Sequence, residues 1–367
     1  MNKIYAYLKN AAKTAVAAAM MCLSLQSCDG VIYDDEGDCS VRYRMKFAYD
    51  MNMKWADAFP NEVKSVRLYA FDAQGKLVWQ KTESGARLAA DDYAMEIDLP
   101  AGKYHFVAWA GLDNEDAAEK HFTVAGGRAD NALTLDALTC SLNRTREGDK
   151  AVSDKRLDGL YHAMADIELP SALSTGGTFE YKMHLTKDTN RVRVILQHIS
   201  GADVNVNDYS FQIEEGNGLM NHDNSLLDDE MITYRPHDMR NGTAGMGIDD
   251  YPEYGKGPAG ALPDAPITKI NVAMADMTIA RLVEGRKTYL TIRANHDNHI
   301  VARIPLVDYA LMLKDGYGHE MTDQEYLDRQ DDYTLTFFLD TDFKWIGTSI
   351  TVSYTHLRAH ETTLHLV

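Results

Sequence analysis

The sequence predicts a mainly all-β protein made of two tandem antiparallel sandwich domains, residues 39–170 and 171–352, with a few short helices in the second. Three observations carry that expectation. Apolar and polar residues alternate at period two in many short runs, and turn residues separate those runs at close spacing. Helical spacing occurs only in two stretches near the C-terminal end. At 367 residues the chain is long enough for two cores, and 45 % hydrophobic with 9 % aromatic residues excludes a disordered chain. The net charge of −18 argues against a nucleic-acid partner.

The N-terminus reads as an address. Lys3, Lys9 and Lys13 precede an apolar stretch from Ala15 to Leu25 that is too short to span a bilayer, the layout of a secretory signal over residues 1–27. Leu25 to Cys28, LQSC, resembles a lipobox, so Cys28 is the expected lipidation site; an ordinary signal peptide cut nearby is the alternative. Cleavage before Cys28 removes three lysines and no acids, taking the charge from −18 to −21. Acyl chains on Cys28 would hold the body at a membrane without a spanning helix. Residues 28–38 form an acidic tether that resembles surface-export signals of Bacteroidetes lipoproteins and also serves as a solvated spacer. Of the four cysteines, Cys22 leaves with the signal, and Cys39 and Cys140 remain as a possible disulfide or as two buried thiols.

The first domain opens on SVRYRMKFAY, residues 40–49. There Val41, Tyr43, Met45, Phe47 and Tyr49 share one face, and Arg42, Arg44 and Lys46 the other. Further strands are expected at 63–71, 76–80, 95–99 and 103–110, the last two joined by a tight turn at Pro100-Ala101-Gly102. The second domain begins after the small-residue break at 171–177. Strands follow at 178–185, 191–199 and 209–215, then at 288–294 and 299–306, with His296-Asp297-Asn298-His299 at a hairpin tip. Residues 241–266 hold six Gly and four Pro and read as a long irregular loop. Residues 305–314 have helical spacing, and Thr322 with Glu325 forms a capping box that opens a helix through Gln330. Strands at 333–340 and 344–352 close the domain.

No catalytic constellation stands out. There is no GxSxG, Walker loop or dinucleotide fingerprint, and the chain is expected not to be an enzyme and to need no cofactor. His296 and His299 read as turn residues because nothing else in the sequence completes a metal set. His356, His360 and His365 lack the glutamate of a zincin helix, and no metal site is expected. The doublets Asp91-Asp92, Asp228-Asp229, Asp249-Asp250 and Asp331-Asp332 read as solvated loop residues. Tyr251 and Tyr254 in the Gly/Pro loop offer either a glycan or protein contact or cover for their own domain.

Several runs together resemble the FimB-type fimbrillin-associated anchor family of Bacteroidales type V fimbriae. They are WADAFPNEVKSVRLYAFD at 55–72, DLPAGKYHFVAWAGL at 98–112, LTKDTNRVRVIL at 185–196, IPLVDYALMLK at 304–314 and MTDQEYLDRQDDYTLTFFLD at 321–340. The resemblance implies two transthyretin-like sandwiches without enzymatic activity, on a lipoprotein of the outer membrane; the acidic tether adds the expectation that the body faces outward. It further implies anchoring of a fimbria at its base, a limit on elongation, and a fimbrial shaft subunit bound by β-strand addition. A fimbrial tip or accessory subunit is one alternative, and a surface glycan-binding lipoprotein of a polysaccharide-uptake system is another. Residues 353–367, SYTHLRAHETTLHLV, depart from the family pattern and resemble adaptor readthrough rather than a native final strand.

Overall fold

The computed structural model describes residues 41–113, 119–125, 133–171, 177–244, 270–316 and 320–352. The chain divides into two compact units. One is Met1–Arg42 with Ala172–Thr178, and the other is Tyr43–Ser171 with Phe179–Val367.

β1 (Val41–Ala48) is the middle strand of a three-stranded sheet, between β11 (Gly177–His184) and β4 (Met95–Ile97). Its alternation is realised in burial: Tyr43, Met45 and Phe47 are buried, while Arg44 and Lys46 are not. A five-stranded sheet follows in the order β12 (Thr186–Lys187), β10 (Tyr161–Leu169), β5 (Gly102–Ala110), β2 (Ser65–Phe71) and β3 (Leu77–Ser84). β5 pairs on both sides, and Phe106 through Ala110 are all inaccessible to solvent, so this strand is covered on both faces. Tyr69, Phe71, Val107 and Trp109 lie in one apolar cluster with Val194, Tyr234 and Phe337 from the second half of the chain. The short helix α1 (Phe59–Glu62) seats Phe59 between Phe47 and Tyr93, at ring-centroid distances of 5.9 and 5.8 Å.

The second half contributes two larger sheets. One runs β17 (Asp238–Ala244), β18 (Ile270–Ala280), β13 (Thr189–His198), β21 (Asp332–Leu339) and β22 (Trp345–Val352). The other runs β20 (Ile300–Pro305), β19 (Tyr289–Ala294), β14 (Tyr209–Glu215), β16 (Ile232–Tyr234), β9 (Lys150–Ser153) and β8 (Thr145–Glu147). A three-stranded sheet of β15 (Leu219–Asn221), β7 (Thr139–Leu142) and β6 (Phe122–Val124) completes the described strands. Along β21, Tyr333, Leu335, Phe337 and Leu339 point into the core and the residues between them do not, the period-two pattern expected of YTLTFFLD.

The protein is all-β with few short helices, as the sequence predicts. Helix α2 (Leu306–Leu311) and helix α3 (Asp323–Arg329) fall where helical spacing places them, and the Thr322 hydroxyl accepts the Glu325 backbone N–H at 3.1 Å. Two differences have physical causes. Beside the antiparallel pairs, β13 with β21 and β9 with β16 pair in parallel. Parallel partners far apart in sequence leave no local turn signature. The predicted irregular loop starts as strand, since Asn241 to Ala244 pair with β18; the remainder of 241–266 lies outside the described residues. Among the described residues no helix is long and apolar enough to cross a membrane.

Candidate functional site

A protein that binds by strand addition needs an open sheet edge, and edges are normally blunted by charge. β3 carries Lys81 and Glu83, β17 carries Asp238 and Arg240, β20 carries Arg303 and β11 carries Glu180 and Lys182. β22 differs. It is eight residues long, WIGTSITV, without a charged side chain or proline. Among the described edge strands longer than three residues it alone has no charge. It pairs with β21 from Tyr333↔Val352 to Leu339↔Trp345, and its other edge has no partner among the described residues. Ile346 is 56 % exposed on it. The strand's start is fixed by Trp345, whose indole N–H donates to Thr348 Oγ1 at 3.0 Å and whose ring lies 6.2 Å from Phe337.

The same sheet carries a charged recess of about 600 Å³ on one face. The RVRV run of β13 buries Val192 and Val194 and turns Arg191 and Arg193 outward. Arg193 grips Asp276 of β18 with two hydrogen bonds, Nε to Oδ1 at 2.6 Å and Nη2 to Oδ2 at 3.1 Å. Arg240 of β17 adds a third, Nη1 to Oδ2 at 2.8 Å. Burial raises the Asp276 pKa, but these hydrogen bonds outweigh it and hold the carboxyl below its usual range. Arg191 sits 3.7 Å from Asp332 of β21, and Arg156, His237 and Asp238 complete the wall. Burial pushes the His237 imidazole below its ordinary pKa. Guanidinium donors next to carboxylate acceptors suit a ligand rich in hydroxyl or amide groups.

Cys28 and Cys39 lie outside the described residues, as do Asp249, Asp250, Tyr251, Tyr254, His356, His360 and His365. Cys140 sits in β7 as a free and fully buried thiol, pushed well above its ordinary pKa by burial. Two of the acidic doublets are tied into ion pairs rather than left to solvent. Asp229 contacts Arg144 at 2.9 Å, and Asp331 and Asp332 meet Lys187 and Arg191. His296 and His299 are at the expected hairpin tip, and Asp297 comes between them with ligand atoms of all three within 4.8 Å of one another. The sequence reading missed the Arg193–Asp276–Arg240 cluster. Its visible signal was the outward Arg pair of RVRV, whose partners come from strands far away in sequence.

Several mostly antiparallel sheets, an uncharged edge strand and a surface recess are the features of an all-β protein of the sandwich class. The chain belongs to the family of fimbrillin-A associated anchor proteins Mfa1 and Mfa2, whose profile matches residues 35–355. Three solved structures show the kinship. A candidate polysaccharide-binding protein from Bacteroides thetaiotaomicron is 33 % identical, with a TM-score of 0.68 over 88 % of this chain and 99 % of that one. A candidate adhesin from the same organism is 29 % identical, with a TM-score of 0.69 over 85 % and 95 %. The fimbrial anchor protein Mfa2 from Porphyromonas gingivalis shares the fold at 17 % identity, with a TM-score of 0.60 over 86 % and 98 %. No curated protein matches the chain. Family membership supports a fimbrial anchor or adhesion role in association with fimbrial subunits at the cell surface, and the family is a structural rather than an enzymatic one.

Proposed function

We propose that this protein is an outward-facing lipoprotein of the outer membrane that anchors the base of a fimbria and limits its elongation. In this reading Cys28 carries the lipid, residues 28–38 form the tether, and 39–170 and 171–352 are the two sandwich domains. The observation that carries it is the family match across residues 35–355. The shaft subunit adds a strand to the β22 edge, where an uncharged row of main-chain donors and acceptors supports β-augmentation. A protein held by lipid at one end and capping a polymer at the other stops growth because no free subunit site is left.

Cys28→Ala tests the anchor. The variant is expected in the soluble fraction, with shed or abnormally long fimbriae. Unchanged membrane retention rules out lipidation at Cys28. Crosslinked capture from native outer membranes tests the partner, with a fimbrial shaft subunit as the expected product.

A second reading, glycan capture, is favoured by the recess of Arg156, Arg191, Arg193, Asp276 and Asp332 and by the 33 % identical polysaccharide-binding candidate. It predicts measurable sugar affinity and capture of a polysaccharide-uptake transporter in place of a shaft subunit. A glycan array without hits removes it.

A further inference from the structure

The β19–β20 hairpin ends in a turn that is held from several directions. The Asn298 N–H donates to the Ala294 carbonyl at 2.9 Å, and the Ala294 N–H to the His299 carbonyl at 3.1 Å. Asn295 is tied to the preceding loop through its backbone N–H to the Asp208 carbonyl and its side chain to the Asn207 carbonyl, each at 2.8 Å. Asn298 takes a left-handed conformation, φ 61°, which reverses the chain within the turn. The outcome is that three side chains from four consecutive residues point to one place.

Their geometry is that of a ligand set. His296 Nε2 lies 3.3 Å from Asp297 Oδ2, and His299 Nδ1 lies 2.6 Å from Asp297 Oδ1. The two imidazole rings are 5.6 Å apart, edge to face at 73°. Around a tetrahedral ion with bonds near 2.0–2.1 Å, neighbouring ligand atoms are separated by roughly 3.3 Å. One pair is at that spacing already, and the His299–Asp297 pair must open from 2.6 Å to reach it.

We propose that His296, Asp297 and His299 form an open three-ligand site for a borderline divalent cation, with Zn²⁺ as the reference ion. Two imidazoles and one carboxylate favour Zn²⁺, Ni²⁺ or Cu²⁺ over Ca²⁺ and Mg²⁺, which take oxygen ligands. On binding, the ion replaces the His299–Asp297 hydrogen bond, and the imidazole proton of that bond goes to solvent or shifts to the other ring nitrogen. All three residues are exposed, so the remaining coordination positions face outward. This site stands independently of the anchor reading.

The test is calorimetric titration of Zn²⁺ into the untagged full chain at pH 7.5, with Co²⁺ absorption as a second readout. Because the tail holds His356, His360 and His365, the titration is repeated with all three changed to Gln. The expected result is one Zn²⁺ per chain in both proteins, at least tenfold weaker binding in Asp297→Asn, and loss of that equivalent in His296→Gln/His299→Gln. Retained binding in the double variant overturns the proposal, as does binding that disappears with the tail histidines or is absent throughout. The altered residues lie at an exposed turn, so an unchanged thermal midpoint in metal-free buffer confirms that each variant is folded.

Discussion

Arg281 holds Asp328 by two hydrogen bonds, Nε to Oδ1 and Nη2 to Oδ2, both 2.9 Å, and thereby ties the end of β18 to helix α3. The fully buried Asp188, between β12 and β13, lies 3.7 Å from the same guanidinium. One cation therefore serves two carboxyls and joins three separated parts of the chain. Arg281→Ala leaves both of them in low dielectric without it, and the expected loss is about 3 kcal/mol. Urea unfolding measures it, and a loss below about 1 kcal/mol shows that the arginine is expendable.

Asp188 gives a specific pH signature. Burial pushes its carboxyl up to about 7 despite Arg281 and the hydrogen bond donated by Asn224 at 2.8 Å, and its Oδ2 accepts no hydrogen bond from the described residues. The folded state then holds a proton that the unfolded chain has released, so this group's contribution to stability falls as pH rises from about 4 to 7. The stability of wild type minus that of Asp188→Asn is expected to decline over that window and stay level above it. A difference that grows with pH shows that Arg281 outweighs burial.

His162 acts with the opposite sign. Its ring packs on Trp109 at 4.6 Å, its Nε2–H donates to the His222 carbonyl at 2.8 Å, and burial lowers its pKa to about 4. The unfolded chain takes up a proton near pH 6.5 that the folded state refuses until about 4. Stability is therefore lost as pH falls from about 6.5 to 4, and His162→Gln is expected to remove that part of the acid sensitivity. Identical acid unfolding curves for the two proteins refute the assignment.

The β22 edge makes a prediction that separates folding from binding. Ile346 is exposed, so Ile346→Lys is expected to change unfolding free energy by no more than about 0.5 kcal/mol. A lysine on the edge opposes the approach of another strand, and recovery of the shaft subunit in crosslinked capture should drop about tenfold, which corresponds to about 1.4 kcal/mol. Undiminished recovery moves the contact to another edge.

What could be read from the sequence follows from how local each signal is. β1, β13 and β21 alternate so regularly that their buried faces were evident residue by residue. The Thr322 cap was equally plain, because its partner Glu325 is three residues away. β18 was missed. Its run INVAMADMTIA is rich in Ala and Met, which favour helix, and only its position beside β13 and β17 makes it a strand. Asp276 could not be recognised as an arginine partner for the same reason, since its meaning depends on which strand lies next to it. Asp297 was in plain view between two histidines, but it was counted as turn chemistry and not as a third ligand beside them.

The middle position of β1 has a mechanical meaning for an anchor. If tension enters from a lipid at the N-terminus, the first strand to feel it is one held along both edges, by β11 and β4. A pull along such a strand loads its hydrogen bonds side by side, in shear, and they must fail together. A strand peeled from the rim would instead lose them one after another. β11 comes from more than a hundred residues further along the chain than β1, so the load spreads at once into a segment leading towards the C-terminal sheets. On the proposed reading, β1 is a splice between early and late parts of the chain, and drag on a fimbria would be resisted by that weave.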